Sequence, residues 1–169
     1  MSEAKRLITI ASATKGNLFR EFKELIDKIE HLKKILDKEY EKYGFKKVLS
    51  HNDVYEPNYI ATKEGDLYLI DWEYAGINDE ANDIACLISR YDFPDEQDEY
   101  YLESYFGRKL TDIEHRHYIA YLAINAFYWI GWGLYKGSVG EDDGFFFLQA
   151  YKNCEKYVDI ALNSYGISM

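Results

Sequence analysis

The chain has 169 residues, 47% hydrophobic and 30% charged, which is room for one domain with a sizeable core. Twenty basic against thirty acidic residues leave a net charge of −10, so general nucleic-acid binding and a polybasic membrane surface are both excluded, because each needs a basic field. Aromatic residues reach 17%, more than a small core requires, and point to an aromatic-lined pocket or interface.

Residues 1–16 lack the long apolar stretch of a secretory leader, and residues 7–10 suit a short strand. Asn17 suits an N-cap, and Leu18, Phe22, Leu25, Ile29, Leu32, Leu36, Tyr40 and Tyr43 then recur at intervals of three and four. That spacing predicts a long amphipathic helix closed by Gly44, with the intervening Lys and Glu residues on a solvated face. Val48-Leu49-Ser50 predicts a short buried strand, and residues 58–62 and 67–70 flank the turn Lys63-Glu64-Gly65-Asp66 as a hairpin. After Asp71 the pattern is helical: residues 80–91, then 94–106 opened by Pro94. Thr111-Asp112-Ile113-Glu114 is a capping box for an apolar helix reaching about Lys136, and Asp142 or Asp143 can cap a last helix to about Asn163. Residues 118–135 carry no charge, but their four Tyr are spread throughout, so a buried helix is expected there and no membrane span. Cys86 and Cys154 read as reduced, buried thiols of a cytosolic, cytoplasmic protein. The fold class is α+β, mainly helical, with a small β-hairpin insertion.

The chemistry lies in His51-Asn52-Asp53-Val54-Tyr55-Glu56-Pro57-Asn58 and Leu69-Ile70-Asp71-Trp72-Glu73. A hairpin returns its far end to its start, so Asp53, Asn58 and Asp71 can converge. A carboxylate and an amide oxygen suit Mg²⁺ that carries nucleotide phosphates, and Asp53 is then free to orient or deprotonate an attacking hydroxyl. Taken singly, Asp53 and Asp71 are turn or cap residues, and His51 is a hydrogen-bonded structural histidine. His115 and His117 read as surface histidines, Tyr128 and Tyr135 as packing, and Gly131 and Gly133 as points of close helix contact.

The strings LSHNDVYEPNYI and LYLIDWEYAGINDEANDIACLI resemble the choline/ethanolamine kinase family, and are similar to the related aminoglycoside phosphotransferases. The I-D-W-E-Y-A-G-x-N-D run favours the choline branch. The resemblance implies the C-terminal lobe of a protein-kinase-like phosphotransferase over residues 17–169. Its catalytic loop would be 51–58, its metal loop 71–76 and its substrate helices 111–163. It implies Asp53 as catalytic base, Asn58 and Asp71 as Mg²⁺ ligands, and His51 and Asp83 as structural support. Glu73, Trp129 and Trp132 would bind the substrate. Indoles three apart share a helical face, and with a carboxylate opposite they suit a quaternary ammonium group. Mg²⁺ and ATP are the implied cofactors, and choline or ethanolamine the implied partner.

This sequence departs from the family in one respect. No glycine loop is present, and the residues before His51 are too few for the N-terminal sheet that grips ATP. The expectation is a lobe without its N-lobe, whether truncated, fragmentary or a stand-alone descendant. It would be inactive alone and would self-associate through the uncovered face, with residues 1–16 partly covering it. Two alternatives stay open: a non-catalytic choline-binding module, and the lobe of an aminoglycoside or amino-sugar phosphotransferase.

Overall fold

The structure is a computed structural model, and it describes residues 2–15, 20–91, 95–141 and 144–167. Helix α1 (Ser2–Lys15) leads into α2 (Arg20–Tyr43). Strands β1 (Lys47–Ser50), β2 (Tyr59–Ala61), β3 (Leu67–Leu69) and β4 (Gly76–Asp79) follow, and then helices α3 (Asn82–Arg90), α4 (Asp95–Phe106), α5 (Asp112–Ser138) and α6 (Gly144–Ser164). Residues 7–10 are therefore helical, not a strand. Ala4, Leu7, Ile8 and Ala11 recur at three and four and are buried, and α1 packs on α5.

The apolar stripe of α2 is buried at Phe22, Leu25, Ile29, Leu32 and Leu36, whereas Tyr43 is exposed. Glu39 departs from the expected solvated face and is buried among polar partners described below. Gly44 closes the helix at φ +67°, its N–H donating to the Tyr40 carbonyl. The N-cap positions expected at Asn17 and at Asp142 or Asp143, and the Pro94 opening, lie outside the described residues. Thr111 and Glu114 form the capping box of α5.

The β insertion comprises two antiparallel pairs, β1 with β4 and β2 with β3. In the second, Tyr59 faces Leu69 and Ala61 faces Leu67, around a turn in which Gly65 has φ +95°. Strand β4 replaces part of the helix expected after Asp71, because its backbone is needed to pair β1 from Lys47↔Asp79 to Ser50↔Gly76. β1 is also not buried as expected: Leu49 is 66% exposed, and Ile77 opposite it 71%.

Helix α5 is the centre, touching α1, α2, α3 and α6. Its glycines allow the close approach expected of them. A Cβ at Gly131 would lie 3.0 Å from the Ala4 carbonyl oxygen of α1, and one at Gly133 3.2 Å from the Phe147 Cβ of α6. Tyr118, Phe127 and Ile130 of α5 are fully buried, and among the described residues no helix is long and apolar enough to cross a membrane. Cys86 and Cys154 are buried free thiols, and burial pushes the Cys86 pKa up to about 11.

Candidate active site

The loop after β1 is held from α3. The Asp83 carboxylate accepts the backbone N–H groups of both His51 (2.8 Å) and Asn52 (2.9 Å). The His51 ring is buried; Nε2 lies 2.8 Å from the Ile70 carbonyl, and Nδ1 accepts the Asp53 N–H at 3.3 Å. Those two bonds require the proton on Nε2. His51 thus ties the loop before Asp53 to the segment before Asp71.

Asn52 has a left-handed backbone, φ 66°, which Asn tolerates better than most residues. Its Nδ2 donates to the Tyr74 carbonyl, and its Oδ1 accepts from Asn78 and Asn82. Asn52 was not singled out in the sequence; its signal is its place beside Asp53, in a run where Asn78 and Asn82 also fall.

The hairpin brings Asp53, Asn58 and Asp71 to one place. Asn58 is buried, and its amide nitrogen donates to the Asp53 carbonyl (2.9 Å) and to Asp53 Oδ2 (3.1 Å). That leaves its Oδ1 as a candidate oxygen ligand. The Ile70 N–H donates to the Asn58 carbonyl at 2.9 Å, which sets Asp71 beside that loop. Asp71 has φ 64° and opens the 3₁₀ turn Trp72–Tyr74, and it is exposed where Asp53 is buried.

Asp53, Asp71 and Glu73 line a cavity of about 280 Å³ with Tyr55, Tyr74, Arg90, Trp129, Trp132 and Phe146. Trp129 is buried and Trp132 half-buried, their rings 5.9 Å apart and nearly perpendicular, with Phe146 edge-on to both. All three substrate-binding candidates and both carboxylates of the loops therefore meet in one cavity. A larger cavity of about 430 Å³, lined by Asn52, Asn78, Asn82 and Tyr128 among others, shares only Tyr74 with it.

Arg90 was missed by the sequence reading. It lies seven residues after Asp83, two turns further along α3, and its guanidinium donates to Asp53 Oδ1 at 2.5 Å. That periodicity was the available signal.

A second polar cluster lies apart from the cavity. His117 is buried, contrary to the surface position expected of it, while His115 is partly exposed and faces Glu99. His117 Nε2 is 2.9 Å from Asp79 Oδ2, and Nδ1 is 3.4 Å from Glu39 Oε2. Tyr40 bonds Asp79, and Arg116 and Tyr165 both bond Glu39. Burial opposes the charge on His117, but the hydrogen bonds and charges of Asp79 and Glu39 outweigh it and raise the pKa. Burial likewise opposes the charge on Glu39, and the bonds from His117, Tyr165 and Arg116 prevail and lower it.

A lobe with a catalytic-type loop braced from a helix, a hairpin and a carboxylate at the hairpin's far end defines the C-terminal half of a protein-kinase-like phosphotransferase fold. The sequence profile of the choline/ethanolamine kinase family matches residues 2–105, and the chain belongs to that family. Among solved structures it is similar to choline kinase LicA from Streptococcus pneumoniae, with TM-score 0.75 and 24% identity over 94% of this chain and 54% of that one. LicA is also solved in complex with AMP. It is similar too to a choline/ethanolamine kinase family protein from Mesorhizobium loti, with TM-score 0.76, 20% identity, and 95% and 53% of the two chains covered. For an ethanolamine kinase from Plasmodium vivax the TM-score is 0.67 and the identity 19%, over 96% of this chain and 50% of that one. The chain thus spans about half the length of these proteins. No curated protein sequence matches it.

Proposed function

We propose that this chain is the catalytic and substrate-binding lobe of an ATP-dependent kinase that phosphorylates the hydroxyl of choline or ethanolamine. The observation that carries this reading is the meeting of Asp53, Asn58 and Asp71 beside a cavity that also holds Glu73, Trp129 and Trp132. The Asp53 carboxylate orients the substrate hydroxyl and takes its proton during transfer. Asn58 Oδ1 and the Asp71 carboxylate would offer hard oxygen ligands, and among the described residues no group of three or more His, Cys, Asp or Glu is placed to hold a metal. Such a pair fits Mg²⁺ whose remaining ligands are phosphate and water. The ion would neutralise charge on the phosphates of ATP. Glu73 and the indoles of Trp129 and Trp132 hold the cationic end of the amino alcohol.

His51 and Asp83 act through the loop, keeping Asp53 at its place. The exposed Leu49, Ile60, Leu67, Tyr68 and Ile77, on the two small sheets that carry the site, are the surface we assign to contact with an ATP-binding lobe. Without that lobe nothing fixes the phosphates for transfer, so the chain alone turns over no substrate.

The test is a fusion of this chain to an ATP-binding lobe from a similar choline kinase. The fusion should phosphorylate choline or ethanolamine, and Asp53→Ala should lower kcat by roughly 10²–10⁴-fold without weakening substrate binding. Equal losses in both would make Asp53 a structural residue. Robust phosphocholine formation by the 169-residue chain alone would overturn the lobe reading.

A further inference from the structure

The cavity already holds a cation of the chain's own. Arg90 has a side chain only 12% exposed. Its guanidinium carbon lies 4.0 Å from the centroid of a Trp129 ring, 4.1 Å from Tyr55 and 5.3 Å from Phe146. One of its nitrogens is paired with Asp53, and its Nε is buried with no hydrogen-bond partner. The residue is therefore held by ring faces and one carboxylate, not by a full set of hydrogen bonds. Trp132 carries a second internal cation, the Lys136 ammonium, 5.2 Å from its ring.

A cationic ligand in this cavity needs an aromatic face and a negative charge, and Arg90 takes one of each. A guanidinium is planar and weakly hydrated, so it stacks on an indole at little desolvation cost. A second cation cannot share the same buried ring face, where like charges repel with little screening.

We propose that Arg90 is a built-in occupant of the substrate cavity: it covers Trp129 and neutralises Asp53, so that an ammonium ligand binds only by displacing it. Arg90 is thus the residue that sets how well the cavity discriminates for or against quaternary ammonium ions. Asp71 and Glu73 line the same cavity and are exposed, which gives a displaced guanidinium carboxylates to meet nearby. The proposal rests on the reading of this cavity as the amino-alcohol site.

The experiment titrates choline, tetramethylammonium and ethylguanidinium into the full 169-residue chain and into Arg90→Ala by calorimetry, with circular dichroism to check that the variant is folded. Arg90→Ala should bind choline and tetramethylammonium at least about tenfold more tightly than the parent. Ethylguanidinium should bind the variant and compete with both. A parent that binds choline as tightly as Arg90→Ala overturns the proposal and leaves the amino-alcohol reading standing. A folded variant that binds ethylguanidinium but neither quaternary ion upholds the occupant and sinks the amino-alcohol reading. A folded variant that binds none of the three overturns the proposal.

If Arg90→Ala does not fold, the parent decides by itself. The Arg90 side-chain protons should show strong upfield ring-current shifts in its NMR spectrum. Shifts typical of a solvent-exposed arginine would overturn the proposal.

Discussion

Asp83 does its work through two backbone bonds. Its carboxylate accepts the amides of His51 and Asn52, and charge-assisted bonds of this kind are worth about 1.5–3 kcal/mol each. Asp83→Ala should therefore lower stability by about 3 kcal/mol in chemical denaturation, and Asp83→Asn, which keeps one acceptor, by about half of that. A loss below ~1 kcal/mol for the alanine variant would mean that water replaces the carboxylate. The buried histidine gives a pH dependence with a definite sign. His117 is raised above its ordinary value of about 6.5, so its contribution is complete below that pH and is lost as pH rises through the raised value. Glu39 is lowered, so its contribution is present above about 4.5 and is lost as pH falls through the depressed value. The cluster is most stabilising between about pH 4.5 and 6.5. The urea midpoint should fall from pH 6 to pH 9 in the parent, and the fall should shrink in His117→Gln; an undiminished fall in that variant would assign it to other groups. At this scale the convergence of Asp53, Asn58 and Asp71 was legible, because a hairpin that follows the loop returns Asp71 to it. Arg90 and His117 were not, since each acts through a contact made from another element. His117 meets Glu39 and Asp79, from α2 and β4, and neither a run of polar residues nor a motif announces such a meeting.

The start of α5 was legible where the exposure of β1 was not. The capping box at Thr111 was readable because it is local: the Thr111 hydroxyl accepts the Glu114 N–H, and the Glu114 carboxylate accepts the Thr111 N–H. The Arg108 guanidinium, then the Thr111 bonds, hold the Glu114 carboxyl at a pKa of about 2 against the opposing effect of burial. Thr111→Ala should cost about 1 kcal/mol, read as a lower thermal midpoint with the helical signal of the folded state unchanged. A midpoint that does not move would show that α5 is held by its packing alone. The short strands were harder. β4 spans four residues with no alternation of its own, and its existence follows from pairing with β1. Helix α1 was harder to see because its apolar face, spaced at three and four, is built partly of small residues, with Ala4 lying over Gly131 of α5.

For the whole molecule, the pairs Leu49↔Ile77 and Ile60↔Tyr68 leave apolar cross-strand contacts open to solvent. That surface should drive self-association of the chain by itself. Sedimentation should show concentration-dependent dimers or larger species, and Leu49→Lys with Ile77→Lys should shift the chain towards monomer. A clean monomer for the parent at high concentration would refute this. The central place of α5 also has a bearing on how the protein is made. Helix α1 emerges from the ribosome well before α5, the helix it packs against, which begins only at Asp112. At ~5–20 residues per second α1 waits roughly 5–20 s for its partner. Through that interval Ala4, Leu7, Ile8 and Ala11 have no cover, and neither does the face of α3 that later meets α5. A nascent chain stalled before α5 should be cut by proteases throughout and held by chaperones, and one stalled after α6 has cleared the tunnel should resist both, so that synthesis of this lobe ends in a single late folding step.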